Sequence, residues 1–170
     1  IEAAGKFKFN LRIACPKKYS PNKKIVSWAK KNKVNLIITT KPDEAVKEAD
    51  LVVICTPMGA YASVAQAMSP GLKAGAIISD VGSTKQSVFS DISPYLPDGV
   101  HLVPAHPVAG TAESGPESGY YELFENHWCI LTPSEDTDVK AISKIKNLWM
   151  RCGMMVETMD ASHHDHVLAI

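Results

Sequence analysis

Asp50-Leu-Val-Val-Ile-Cys-Thr-Pro57 is the stretch on which the fold turns. Its apolar residues, Leu51 to Cys55, run without a break into Thr56-Pro57, where proline brings no N–H to continue a ladder. A strand that is apolar on both faces belongs in the middle of a parallel sheet, with helices above and below. Leu11 to Cys15, Val34 to Ile38, Gly75 to Ser79, Val100 to Val103, Trp128 to Leu131 and Gly153 to Glu157 read as further strands. Amphipathic helices fall between them. One opens at Ser20-Pro21 with Ile25, Val26, Trp28 and Ala29 as its stripe. Shorter ones cover Asp43 to Ala49, Gly59 to Met68 (Tyr61, Val64, Ala65 and Met68 on one face) and Thr84 to Ile92. Asp138 to Cys152 carries Val139, Ile142, Ile145, Leu148 and Trp149, and another helix starts at Asp160. Ile1 to Gly5 reads as a last helical turn closed by glycine. Strand and helix alternate with crossovers long enough for parallel pairing, so the class is α/β, doubly wound around a mostly parallel sheet.

A chain of 170 residues can bury one respectable core. Lys plus Arg and Asp plus Glu number 18 each, and a nucleic-acid surface would need a basic excess. Lys17, Lys18, Lys23, Lys24, Lys30, Lys31 and Lys33 cluster early and read as a solvated face. Cys15, Cys55, Cys129 and Cys152 stand singly and read as buried free thiols, with no spacing for a disulfide frame or a metal. No apolar run approaches the ~20 residues that cross a bilayer, and no basic-then-apolar leader opens the chain. The expectation is a cytoplasmic protein that touches neither membrane nor nucleic acid.

Two strand-like runs end in polar loops. Ala76-Ile-Ile-Ser79 leads into Asp80-Val-Gly-Ser-Thr-Lys85, and Leu102-Val103 leads through Pro104 to His106-Pro-Val-Ala-Gly110-Thr-Ala-Glu-Ser-Gly115. Loops built from glycine and hydroxyl residues bind polar ligands with backbone N–H groups. Two of them at the carboxyl edge of a parallel sheet mark one crevice. A lone His106 reads sooner as a turn cap; Ser83 and Lys85 on the neighbouring loop reverse that and favour the crevice reading.

Asp80 to Lys85, His106-Pro-Val-Ala-Gly-Thr111 with Ser114-Gly-Pro116, Leu123-Phe-Glu-Asn126 with Trp128 to Pro133, and His164-Asp165 together resemble the prephenate/arogenate dehydrogenase family of tyrosine biosynthesis. The blocks come in that family's order and spacing and cover most of residues 50–170. The resemblance implies oxidation of a ring alcohol by NAD or NADP coupled to loss of the ring carboxylate. It makes His106 the catalytic histidine and Ser83 the serine that hydrogen-bonds both it and the substrate. Thr56, Pro57 and Gly82 would lie against the cofactor, and Thr111, Ser114, Gly115 and Asp165 on the substrate side. Lys85 reads either as a surface charge at a helix start or as a site residue. His163 and His166 read as solvated.

A Rossmann-like fold carries G-x-G-x-x-G after its first strand, and no such motif occurs here. The strand at Leu11 to Cys15 would then be the second, with the first strand and its glycine loop missing. The expected division is a nucleotide-binding domain over 1–158, and over 159–170 the start of a helix leading into a helical dimerisation domain. The chain would then be a fragment, inactive alone, of a protein that forms homodimers. Where the second strand ordinarily ends in an acid for the NAD ribose, this chain has Lys17 and Lys18. They lean towards the 2′-phosphate of NADP, or they merely solvate a loop. Relatives that read Gly-Thr-Glu are met here by Gly110-Thr111-Ala112, with Glu113 one place on. Two other readings stay open. A β-hydroxyacid-type dehydrogenase would need a catalytic lysine, and none matches. A catalytically dead metabolite-binding or regulatory module would keep the crevice alone.

Overall fold

The computed structural model describes residues 1–110 and 118–168. In chain order it runs α1 (Glu2–Phe7), β1 (Leu11–Ala14), α2 (Lys23–Lys31), β2 (Leu36–Thr39), α3 (Pro42–Val46), β3 (Leu51–Ile54) and α4 (Tyr61–Met68). It continues through β4 (Ile77–Asp80), α5 (Gln86–Ile92), β5 (His101–Leu102), β6 (Ala105–Pro107) and β7 (Trp128–Leu131). The remaining elements are α6 (Val139–Arg151), β8 (Met155–Thr158) and α7 (Ala161–Leu168). The α/β class stands.

Backbone hydrogen bonds join the strands in three groups, β1-β2, β3-β4-β5 and β6-β7-β8. Every pairing is parallel except β6 with β7. The centre of the second group is β4, whose four residues are all buried. Ile77 and Ile78 point to opposite faces of that strand, as neighbours in a strand must, and each joins a different apolar core. Ile78 packs with Tyr61, Ala65 and Met68 of α4 and Val88 and Ile92 of α5. Ile77 packs with Val103, Leu131 and the α6 residues Ala141, Ile145 and Trp149. Helices on both faces of β4 make the fold doubly wound.

Several expectations need correction. The run from Leu51 forms β3 at an edge of its group, with Leu51 and Val53 each 37% exposed, and not in the middle. Helix α1 passes through Gly5 and closes on Lys8, at φ 56°. A β-carbon on Gly5 would lie 2.9 Å from Val34 and 3.0 Å from Trp28, so the glycine serves packing there and not a helix end. On α6, Val139 turns out to solvent and Ala141 takes the inner place. Of the four free cysteines only Cys129 is buried, while Cys55 and Cys152 are exposed. No described helix is long and apolar enough to cross a membrane.

Candidate active site

Asp80 ends β4, and its carboxylate is fully buried. An ionised carboxylate only accepts hydrogen bonds and is costly to bury without donors. Four donors converge on this one. Oδ2 accepts from Tyr61 Oη at 3.0 Å, Gly82 N at 2.8 Å and Lys85 Nζ at 2.5 Å. Oδ1 accepts from Ala105 N at 3.1 Å, and Lys85 Nζ also donates to Ala105 O at 2.9 Å. The Asp80–Lys85 pair therefore grips both sides of the residue immediately before His106. Lys85 is fully buried, which corrects its reading as a surface charge. Burial lowers its pKa, and the Asp80 carboxylate opposes that by charge and by hydrogen bond. Burial, the Asp80 charge and its hydrogen bond raise Tyr61, so the phenol stays a donor.

His106 lies on β6, opposite Ile130 of the antiparallel β7. A strand thus presents the histidine that the sequence reading delivered into a loop. Its Nδ1 is 2.9 Å from His164 Nε2, the two rings meeting edge to face at 65°. His164 is fully buried and its Nδ1 lies 2.7 Å from Asp165 Oδ1. Asp165 in turn accepts from the N–H groups of Lys85 at 2.7 Å and Gln86 at 2.9 Å, where α5 begins. Burial works against the Asp165 charge, but the N–H of Gln86, the His164 ring and the N–H of Lys85 hold its pKa below the usual carboxylate range. Burial first, then the charges of His164 and Lys85, push His106 down to about 4. At neutral pH its ring is a neutral base.

The other expected residues fall as follows. Ser83 is exposed on the loop after Gly82, and among the described hydrogen bonds the partner of the His106 ring is His164 and not Ser83. A β-carbon on Gly82 would lie 2.9 Å from Tyr61 Oη and 3.0 Å from Asp80 Oδ2, so glycine is needed there by the chain's own buried cluster. Thr56, just past β3, has a buried Oγ1 with no hydrogen-bond partner among the described residues, and Pro57 beside it is exposed. Lys17 and Lys18 form an exposed turn after β1, with the Lys18 ammonium 4.7 Å from the centre of the Tyr19 ring. Thr111, Ser114 and Gly115, with Ala112 and Glu113, lie outside the described residues. Among the described residues no group of His, Cys, Asp and Glu is arranged to hold a metal ion.

Sequence reasoning left His164 without a role. A signal was present, because Ala161, His164 and Leu168 follow the i, i+3, i+7 spacing of one helix face. His163 and His166 fall off that face and are exposed, as expected.

The family description "prephenate dehydrogenase, nucleotide-binding domain" matches residues 10–158. A cyclohexadienyl dehydrogenase of Zymomonas mobilis is 46% identical over 78% of this chain and 45% of its own length. A prephenate dehydrogenase of Bacillus subtilis is 36% identical over 74% of this chain and 34% of its own length. The chain thus spans less than half of these relatives. Among solved structures, prephenate dehydrogenase of Aquifex aeolicus with hydroxyphenyl propionate and NAD+ superposes at TM-score 0.77. It is 28% identical, and the match covers 99% of this chain and 57% of that one. A Synechocystis arogenate dehydrogenase superposes at 0.78 with 22% identity, a likeness of fold, over 96% of this chain and 56% of that one.

Proposed function

The chain belongs to the prephenate dehydrogenase family through its nucleotide-binding domain, and on that footing we propose that the protein carrying it oxidises prephenate or arogenate with loss of the ring carboxylate. One observation carries the reading. His106 is held neutral on β6, one residue after Ala105, whose N–H donates to Asp80 at the carboxyl end of the parallel β4. Oxidation of the ring alcohol needs an acceptor for the hydroxyl proton as the hydride leaves carbon, and a fixed neutral imidazole is that acceptor. The C–H pair departs as hydride and the O–H proton passes to His106, leaving a carbonyl. The bond to the ring carboxylate then breaks, carbon dioxide leaves, and the freed pair makes the ring aromatic as the oxygen regains a proton. The buried Asp80–Lys85 pair fixes the backbone that aims the base.

A nicotinamide dinucleotide, NAD or NADP, takes the hydride when bound. The residues present fit part of such a site. The unpartnered Thr56 Oγ1 lies at the carboxyl end of β3, the edge where open parallel sheets bind nucleotides. Thr56, Pro57 and Gly82 would hold the nicotinamide half, and Lys17 and Lys18 the ribose end, favouring a 2′-phosphate over a bare diol. Ser83, Thr111, Ser114, Gly115 and Asp165 would line the substrate side. In the same reading residues 1–158 are the nucleotide-binding domain and 159–170 lead towards a helical domain through which the protein forms a cytoplasmic homodimer.

The test is a steady-state assay of the protein carrying this chain, parent against His106→Ala, with prephenate and arogenate under NAD and NADP. Expected is cofactor reduction by the parent and a loss of about 10²-fold or more in the variant. A folded parent that reduces neither cofactor with either substrate would leave the metabolite-binding module as the reading.

A further inference from the structure

We infer that His164 is a positioning residue for His106: it fixes the hydrogen of the His106 ring on Nδ1 and so leaves Nε2 bare as the proton acceptor. The inference deepens the proposed dehydrogenase reading and rests on it only where turnover is concerned.

The order of hydrogens follows from the far end of the chain of contacts. Asp165 accepts at Oδ1 from Lys85 N and at Oδ2 from Gln86 N, so it meets His164 as an acceptor as well. Nδ1 of His164, 2.7 Å from Oδ1, must therefore bring the hydrogen. In a neutral ring that leaves Nε2 with a lone pair. Among the described residues its hydrogen-bond partner is His106 Nδ1 at 2.9 Å, and two bare nitrogens at that distance would repel, so His106 Nδ1 carries the hydrogen. With both rings neutral, its remaining nitrogen, Nε2, is bare. The alternative order would set a bare nitrogen of the fully buried His164 against the Asp165 carboxylate. The edge-to-face meeting of the rings, with centroids 5.1 Å apart, points nitrogen at nitrogen and is no stacking contact.

The consequence for chemistry is one of readiness. When His106 takes the hydroxyl proton at Nε2 it becomes a cation with N–H on both sides. Its Nδ1–H still donates to His164, whose own N–H still donates to Asp165, so no hydrogen bond has to be broken or turned round. Without His164 the neutral ring would divide between two tautomers, of which only one can accept at Nε2.

The direct test is nitrogen NMR of the chain with ¹⁵N-labelled histidine near neutral pH, which reads the tautomer without any turnover. Expected is His106 with hydrogen on Nδ1 in the parent, a shift to the other tautomer or a mixture in His164→Leu, and retention in His164→Gln, whose amide oxygen can replace the acceptor. Hydrogen on Nε2 of His106 in the parent, or a tautomer indifferent to His164→Leu, overturns the inference. The parent spectrum decides even if the leucine variant fails to fold. In the protein carrying this chain, His164→Leu is expected to lower kcat by about 10²-fold with the KM for cofactor little changed, and His164→Gln to restore most of it. A kcat equally low in both variants would overturn a positioning role. A parent inactive on both ring acids would sink the dehydrogenase reading and leave the tautomer result standing.

Discussion

At the scale of single residues, the site is governed by what burial does to charge. His106 is pushed down to about 4 by burial, then by His164 and Lys85. A base serves only while unprotonated, so the acid limb of kcat/KM should lie near pH 4 and not near the usual histidine value of ~6.5. A pH–rate profile checks this, and a limb between 6 and 7 would mean the ring is far better solvated than its surroundings indicate. Lys85 makes a second case. Removing its ammonium by Lys85→Met leaves Asp80 charged, buried and short of a partner, a change expected to cost about 3–5 kcal/mol in a denaturant melt. Asp80→Asn in the same chain should recover a large part of that loss. Little of this cluster was legible in the sequence. Asp80 and Lys85 are five residues apart across a loop, a spacing no helix or strand brings together, and only tertiary packing makes them a pair. His106 was legible because its neighbours form a recognisable block. His164 was not, because three histidines in a row of polar residues hide a single buried position.

At the scale of elements, sequence patterning is read most safely where one face is buried. The inner face of α4 shows this, with Tyr61, Ala65 and Met68 all inside. So does α6, where Asp138 accepts from Ala141 N at 2.9 Å and caps the first turn. Asp138→Ala should lower thermal stability by about 1 kcal/mol, measured by calorimetry, with no effect on cofactor reduction. Patterning fails for β6, three residues ending in proline between two loops. Nothing local marks it as a strand; its partner β7 lies more than twenty positions along the chain, and the antiparallel pairing is a fact of the fold. Patterning also misjudged β3. It is apolar throughout while β4 ends in Ser79 and Asp80, yet β4 takes the centre, because that place depends on neighbours that neither run encodes. The start of α5 is completed from outside as well, by Asp165 of α7.

At the scale of the whole molecule, the two apolar cores draw every one of their residues from Val46 onward. The β1-β2 pair belongs to neither. It leaves Ile37 and Ile38 exposed, and no backbone ladder connects it to the other strand groups among the described residues. Helix α3 packs against both of its strands, and the Arg12 guanidinium adds a tie by donating to the carbonyls of Glu44 and Lys47. Such a region opens without the rest. Native-state hydrogen exchange should therefore find the amides of β1 and β2 trading deuterium through a low-energy local opening, while those of β4 exchange only by global unfolding. Equal protection in both would make the chain one cooperative unit. If they differ, the Lys17–Lys18 turn rides on the looser unit and His106 on the tighter one, so a ligand gripping both would slow exchange in β1 and β2 far more than in β4.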